Sequence, residues 1–221
     1  MTLGSPRCSG RDGGAVNSRT MKLAYSAASP YVRKVSVCAE ELGLAPRIEN
    51  VPTKVLPSEP NREYGKAAPL MKVPSLETDD GTVLFDSIVI CEYLDHLSGK
   101  PRLFPAGDAR WKALHLHALA DGILDAAILT RYETVLRPEP LRWDAWVQGQ
   151  LVKVDQALDE LEQSAGSLQG IDIGTISAGC ALGYLDFRFG DRRWREGRPQ
   201  LAAWYEQVSQ RESFRKTVPR A

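Results

Sequence analysis

The run Met21-Lys22-Leu23-Ala24-Tyr25, continued by Ser26-Ala27-Ala28-Ser29-Pro30-Tyr31-Val32-Arg33-Lys34, constrains the fold more than any other stretch. Its first five residues read as a short strand, and the small residues after them as a turn. Pro30 stands where a helix begins, since its missing N–H is one that a first turn does not use, and Ser29 supplies an N-cap oxygen. Tyr31, Val35, Cys38 and Leu42 then recur at i, i+4, i+7 and i+11, one apolar helix face, and Gly43 is placed to end it. A strand feeding a helix whose first turn carries a hydroxyl is suited to hold an anion. The free N–H groups and the positive end of the helix dipole favour negative charge, and the hydroxyl adds a donor. Taken alone, the same residues also suit a plain cap.

Lys72-Val73-Pro74-Ser75-Leu76 reads as a second strand entered through a proline, and Val83-Leu84-Phe85 as its hairpin partner across Asp79-Asp80-Gly81. Asp86-Ser87 caps another amphipathic helix, with Ile88, Cys91, Tyr93, Leu94 and Leu97 apolar and Gly99 as its stop. This order of elements resembles the thioredoxin-like domain of glutathione transferases, specifically the bacterial members with Ser-Pro at the first helix. The resemblance covers residues 21 to 221, because the helical second half fits as well.

Between these motifs, Arg47 to Val51 reads as another strand. Pro52, Pro57, Pro60 and Pro69 exclude a long helix over 52–72. Residues 100–107 carry Pro101, Pro105 and Gly107 and read as a linker, anchored into the next domain by Leu103 and Phe104. From Asp108 the apolar period is helical. A long helix capped by Asp108 runs to about Leu136, with Trp111, Leu114, Ala118, Leu119, Ile123, Ala126, Ala127 and Thr130 as its stripe. A second runs from Leu141 to Ser164 through Trp143, Trp146, Val147, Leu151, Val154, Leu158 and Leu161. Residues 172–189 are apolar nearly all round and predict a buried central helix. A helix opened by Pro199 runs through Gln210, followed by a polar tail. The expected fold class is α/β plus all-α: a thioredoxin-like domain over 21–99, a linker over 100–107 and a helical bundle over 108–221. Residues 1–20 are expected to be a disordered extension, or to precede a true start at Met21.

Equal numbers of basic and acidic residues, 28 of each, give no global attraction to nucleic acid or an anionic membrane. No apolar run stands out as a membrane span. Cys8, Cys38, Cys91 and Cys180 are dispersed without a Cys-x-x-Cys pair, which suggests reduced thiols and a cytoplasmic location. His115 and His117 are two apart on a helix and cannot chelate as an i, i+4 pair would, so no metal site is expected. Arg188, Arg192, Arg193, Arg195 and Arg198 around Trp194 read as a solvated connector, with a nucleic-acid or partner patch as the alternative.

The resemblance assigns roles to several of these residues. A thiol with a pKa of about 8.5 must be made nucleophilic near neutrality, at about 1.4 kcal/mol of thiolate stabilisation per pH unit. The resemblance implies that Ser29 donates a hydrogen bond to the sulfur of glutathione, the co-substrate, with Ser26 and Tyr25 as fallbacks. Val73 and Pro74 match the family's Val–cis-Pro pair, which leaves backbone groups free for an extended ligand. Asp86 and Ser87 match its acidic-Ser pair, with Ser87 toward the γ-glutamyl carboxylate and Asp86 toward the ammonium. Tyr31 and Lys72 complete the implied binding set, Lys72 toward the glycyl carboxylate. A hydrophobic small-molecule electrophile is expected in the cleft between domains, which Arg131 and Tyr132 could face, and a homodimer is expected. The chain departs from the family in two places. Ala68-Pro69-Leu70-Met71-Lys72 replaces the usual Asn-Pro-x-Gly-Lys, and Asp172 with Thr175 lacks the reciprocal carboxylate of the usual capping box, which predicts a weaker cap. These departures leave open a second reading, an interaction module of the same fold with weak or no catalysis.

Overall fold

The computed structural model describes residues 20–221; residues 1–19, and with them the expected extension and Cys8, lie outside the described residues. The chain opens with β1 (Met21–Tyr25), α1 (Pro30–Glu41) and β2 (Ile48–Pro52), followed by β3 (Leu76–Glu77), β4 (Val83–Leu84) and α2 (Ser87–Leu97). The four strands lie in the order β2-β1-β3-β4, with β1 parallel to β2 and antiparallel to β3, and β3 antiparallel to β4. The hairpin is shorter than its sequence suggests: Pro74 has no N–H to donate, and the β1–β3 ladder starts only at Leu76. α1 and α2 pack together and bury Val35, Val37, Cys38, Ile90, Cys91 and Leu94 against Met21, Leu23 and Leu76.

The rest is helical: α3 (Asp108–Arg131) running into a wider turn over Tyr132–Leu136, α4 (Asp144–Ser164), α5 (Ile173–Arg188), α6 (Pro199–Ser209) and α7 (Glu212–Lys216). α5 is the central helix, with every residue from Ile173 to Leu185 buried. Its cap is stronger than expected. Asp172 accepts the Thr175 N–H at 2.9 Å, and the Thr175 hydroxyl accepts the Asp172 N–H at 2.9 Å, so a hydroxyl performs the reciprocal half of the box.

Several expectations from the pattern are corrected. Gly107, at φ 61°, is the N-cap of α3, and Asp108 is its first helical residue, where its charge favours the dipole. Trp111 and Trp143 are exposed, and the buried face of α3 is Ala113, His117, Ala120, Ile123, Leu124, Ala126, Ala127 and Thr130. The stretch Asp108–Leu136 is long and apolar enough to cross a bilayer by length and composition, but 44% of its most apolar window is buried inside the fold. The tail is not simply polar, because α7 buries Phe214 beside the guanidinium of Arg33. The arginine connector is exposed at Arg192, Arg193 and Arg195, as expected, but it is also tied to the bundle: Arg192, Arg195 and Arg198 pair with Asp155, Asp186 and Asp159, and Trp194 is buried with its indole N–H on Asp186 at 2.7 Å.

Two carboxylates absent from the sequence reading tie the pieces together. Buried Asp95 accepts the N–H groups of Arg102, Leu103 and Phe104 at 2.9–3.0 Å, which fixes the linker that Leu103 and Phe104 anchor. Glu41, at the end of α1, takes both arms of Arg211 at 2.8 Å and the Ser213 hydroxyl at 2.6 Å. Burial pushes its carboxyl up, but Arg211 and Ser213 outweigh that and hold it below the usual range.

Candidate active site

The sheet register gathers the three motifs. Leu23 of β1 stands opposite Leu76 of β3, and Leu76 opposite Leu84 of β4. Two residues onward along this row come Tyr25 at the end of β1, Pro74 before β3, and Asp86 after β4. With strands about 4.8 Å apart, the row spans about 10 Å. The Ala24 N–H donates to the Ser75 carbonyl at 2.9 Å, which continues the row toward Val73. The turn after β1, closed by Ser29 N–H to Ser26 C=O at 3.0 Å, then brings the start of α1 to this edge.

Ser29 is the N-cap of α1, and its Oγ accepts the Val32 N–H at 3.3 Å. Only its lone pair is engaged in that contact, so its own proton can be donated outward, at the positive end of the helix. The Val73–Pro74 bond is cis, and among the described residues neither the N–H nor the C=O of Val73 pairs with another backbone group. Tyr64 holds this segment from behind, its hydroxyl 2.8 Å from both the Lys72 carbonyl and the Ser75 Oγ. The Lys72 side chain is exposed. In the divergent loop before it, Met71 adopts φ 50°, a left-handed conformation that strains a residue with a Cβ, and its side chain lies over Gly65.

Asp86 caps α2 by accepting the Ile88 N–H at 3.2 Å and is otherwise exposed; the Phe85–Asp86 peptide is also cis. Ser87 is buried, and beneath it lies a cation that sequence periodicity did not single out. Lys34, fully buried on α1, donates to Ser87 Oγ at 3.2 Å and to Asp121 Oδ1 of α3 at 2.5 Å. A lysine on an otherwise apolar face was the available signal. Because Lys34 takes an oxygen lone pair, the Ser87 proton is free to point away from it, toward an incoming carboxylate.

The polar seam continues through α3. Ser177 gives its proton to the Ile173 carbonyl at 2.7 Å, so at 2.9 Å it accepts from Nδ1–H of His117. That leaves His117 Nε2 bare, 3.5 Å from Asp121. Burial, and then the charge of Lys34, holds the His117 pKa below its ordinary value. Tyr31 donates its hydroxyl to Asp125, and burial together with that bond raises its pKa far out of range, so it is a fixed neutral donor joining α1 to α3. No group of three or more His, Cys, Asp or Glu residues suited to a metal occurs among the described residues.

A small mixed sheet with a hydroxyl-capped helix, a cis-proline edge and a helical second half defines a class of fold, and the comparisons agree with it. Residues 28–97 match the glutathione S-transferase N-terminal domain and residues 144–207 the C-terminal domain. The chain is 34% identical over 204 residues, 90% of its length and 98% of the relative's, to the "Uncharacterized GST-like protein YibF" of Escherichia coli K12. The crystal structure of a glutathione transferase family member from Pseudomonas fluorescens Pf-5 with bound glutathione superposes with a TM-score of 0.87 at 44% identity, covering 91% of this chain and all of the other. The structure of a family member from that organism with bound S-(propanoic acid)-glutathione gives 0.85 at 45% identity with the same coverage. This chain belongs to the glutathione S-transferase family.

Proposed function

We propose that the chain is a glutathione transferase that binds glutathione across the edge formed by Val73–Pro74, Asp86–Ser87 and the start of α1. The observation that carries the reading is the row itself: a free hydroxyl proton at a helix N-terminus, an unpaired extended backbone at Val73, and a second helix N-terminus at Ser87, aligned across about 10 Å of sheet. Val73 would pair with the peptide backbone of the ligand as an added strand does. Ser87, its lone pair held by Lys34, would donate to the γ-glutamyl carboxylate, with Asp86 near the ammonium and Lys72 near the glycyl end. The Ser29 proton and the dipole of α1 would stabilise the thiolate, which then attacks an electrophile lying over the helical half. A relative whose structures hold glutathione in one case and an S-substituted glutathione in the other supports this reading.

No cysteine stands at the Ser29 position, so the sulfur is held by a hydrogen bond and not as a mixed disulfide. The buried free thiols Cys38, Cys91 and Cys180 fit a reducing, cytoplasmic setting, and conjugation of a hydrophobic electrophile would serve detoxification. Phe85, Val89 and Trp111 are exposed large apolar residues at or on α2 and α3, which the Arg110–Glu92 pair joins at 2.6 Å, and they would form the contact of a homodimer, which a solution mass measurement checks. Retention on immobilised glutathione and conjugation of a generic aryl halide test the central activity. Absence of any heat with millimolar glutathione favours instead the interaction-module reading, to which the altered Ala68–Met71 loop also points.

A further inference from the structure

α3 and α5 run side by side in the same direction. His117 meets Ser177 at 2.9 Å, and a Cβ on Gly174 would lie 2.7 Å from the Ala113 carbonyl, so the two helices advance in step. Their C-terminal ends therefore emerge together, with Arg131 in the last turn of α3 and Arg188 in the last turn of α5. α1 runs the opposite way along α3: Tyr31 bonds Asp125, while Lys34, farther along α1, bonds Asp121, one turn back. The N-cap Ser29 thus faces the same end as the two arginines, and Arg131 lies about 9 Å of helix rise beyond Asp125.

These two guanidinium groups differ from their neighbours. Arg192, Arg195 and Arg198 on the following connector each have a carboxylate within 2.6–2.7 Å, and Arg137 has Glu133 at 2.7 Å. Among the described residues neither Arg131 nor Arg188 forms an ion pair. Arg188 lies 3.9 Å over the Phe187 ring, and its Nε is buried with no hydrogen-bond partner. Burial, and then the nearby charge of Arg131, lowers its proton affinity. A basic residue in a last turn complements the helix dipole, which accounts for one cation per helix. It does not account for two unneutralised cations converging beside Tyr184, at the end of the bundle that Ser29 faces.

We propose that the electrophile this enzyme accepts carries a carboxylate, held by Arg131 and Arg188 while its reactive carbon meets the sulfur at Ser29. The proposal rests on the glutathione reading above. With 4-(chloromethyl)benzoate as probe, the thiolate electron pair forms the C–S bond at the benzylic carbon. The C–Cl bond breaks with its pair leaving as chloride, and the thiol proton passes to solvent.

The test is calorimetry of the full chain with glutathione, S-benzylglutathione and S-(4-carboxybenzyl)glutathione. Charge-assisted hydrogen bonds of about 1.5–3 kcal/mol predict that the carboxylated adduct binds about 10- to 100-fold more tightly than S-benzylglutathione. In the Arg131→Gln/Arg188→Gln double variant that ratio falls toward one, whereas Arg188→Lys, which keeps the charge, retains part of it. Glutathione binding with equal affinity for the two adducts overturns this proposal alone, as does a ratio that survives the double variant. Absence of heat with all three ligands overturns the glutathione reading and the proposal with it. Should the double variant not fold, the wild-type ratio decides.

Discussion

Replacing Lys34 by Met keeps most of the buried stem and removes the charge, so it isolates the polar seam beneath Ser87. In the native chain Lys34 is fully buried and 2.5 Å from Asp121, whose side chain retains 23% exposure. Removing one partner of a buried pair costs about 3–5 kcal/mol, and the partial hydration of Asp121 sets the expectation near the lower end, about 3 kcal/mol. The penalty should depend on pH through His117. Its folded pKa lies below the unfolded value of about 6.5, so the unfolded chain takes up the proton first and the native protein loses stability as pH falls through that window. Without Lys34, Nε2 faces Asp121 alone and its pKa rises, so protonated His117 becomes the missing partner. Each pH unit of that rise narrows the gap between variant and wild type by about 1.4 kcal/mol on the acid side. Urea unfolding at about pH 8 and about pH 5.5 should therefore give the larger penalty at the higher pH. Equal penalties at both values would show that Lys34 and His117 do not share Asp121 as described.

Other substitutions probe the joints of the fold. Asp95→Ala strands three linker N–H groups, two of them on buried residues, and should cost about 2–5 kcal/mol by chemical denaturation. Gly183→Ala would drive a Cβ into Arg33 Nη1 and put it 2.9 Å from the Tyr205 hydroxyl; the resulting overpacking should cost about 1–3 kcal/mol and show as a lowered Tm. Asp172→Ala removes half of the capping box on the central helix and should cost about 1–2 kcal/mol, while Asp172→Asn retains most of the stability.

Local rules were enough to read much of the fold. Pro30 with Ser29, Pro74 before a short strand, and Asp86 with Ser87 each declare an element boundary through backbone chemistry, and the order of those boundaries carried the fold class. Amphipathic spacing was less reliable where a helix end meets solvent: Trp111 and Trp143 continue an apolar stripe by spacing alone yet stand exposed, because no neighbouring element covers those turns. Polar residues that act across the chain were invisible to periodicity. Lys34, Asp95, Asp121 and Glu41 find their partners in other elements, Lys34 on α2 and α3 and Glu41 on α7, and only the packed structure brings them together. Thr175 closing the cap of α5 shows that the sequence comparison underrated a hydroxyl in a carboxylate's place. The arginine connector was legible as an exposed segment, but its ion pairs were not, because the carboxylates lie on α4 and α5.

The most direct test of the account is the titration of the glutathione thiol while bound, followed by thiolate absorption in the ultraviolet, in the native chain and in Ser29→Ala. The account predicts a bound thiol that ionises below the value of about 8.5 for a free thiol, and a return of about one pH unit toward it when the Ser29 hydroxyl is removed. A bound thiol that titrates like the free one, or one whose titration ignores the loss of the hydroxyl, would contradict it.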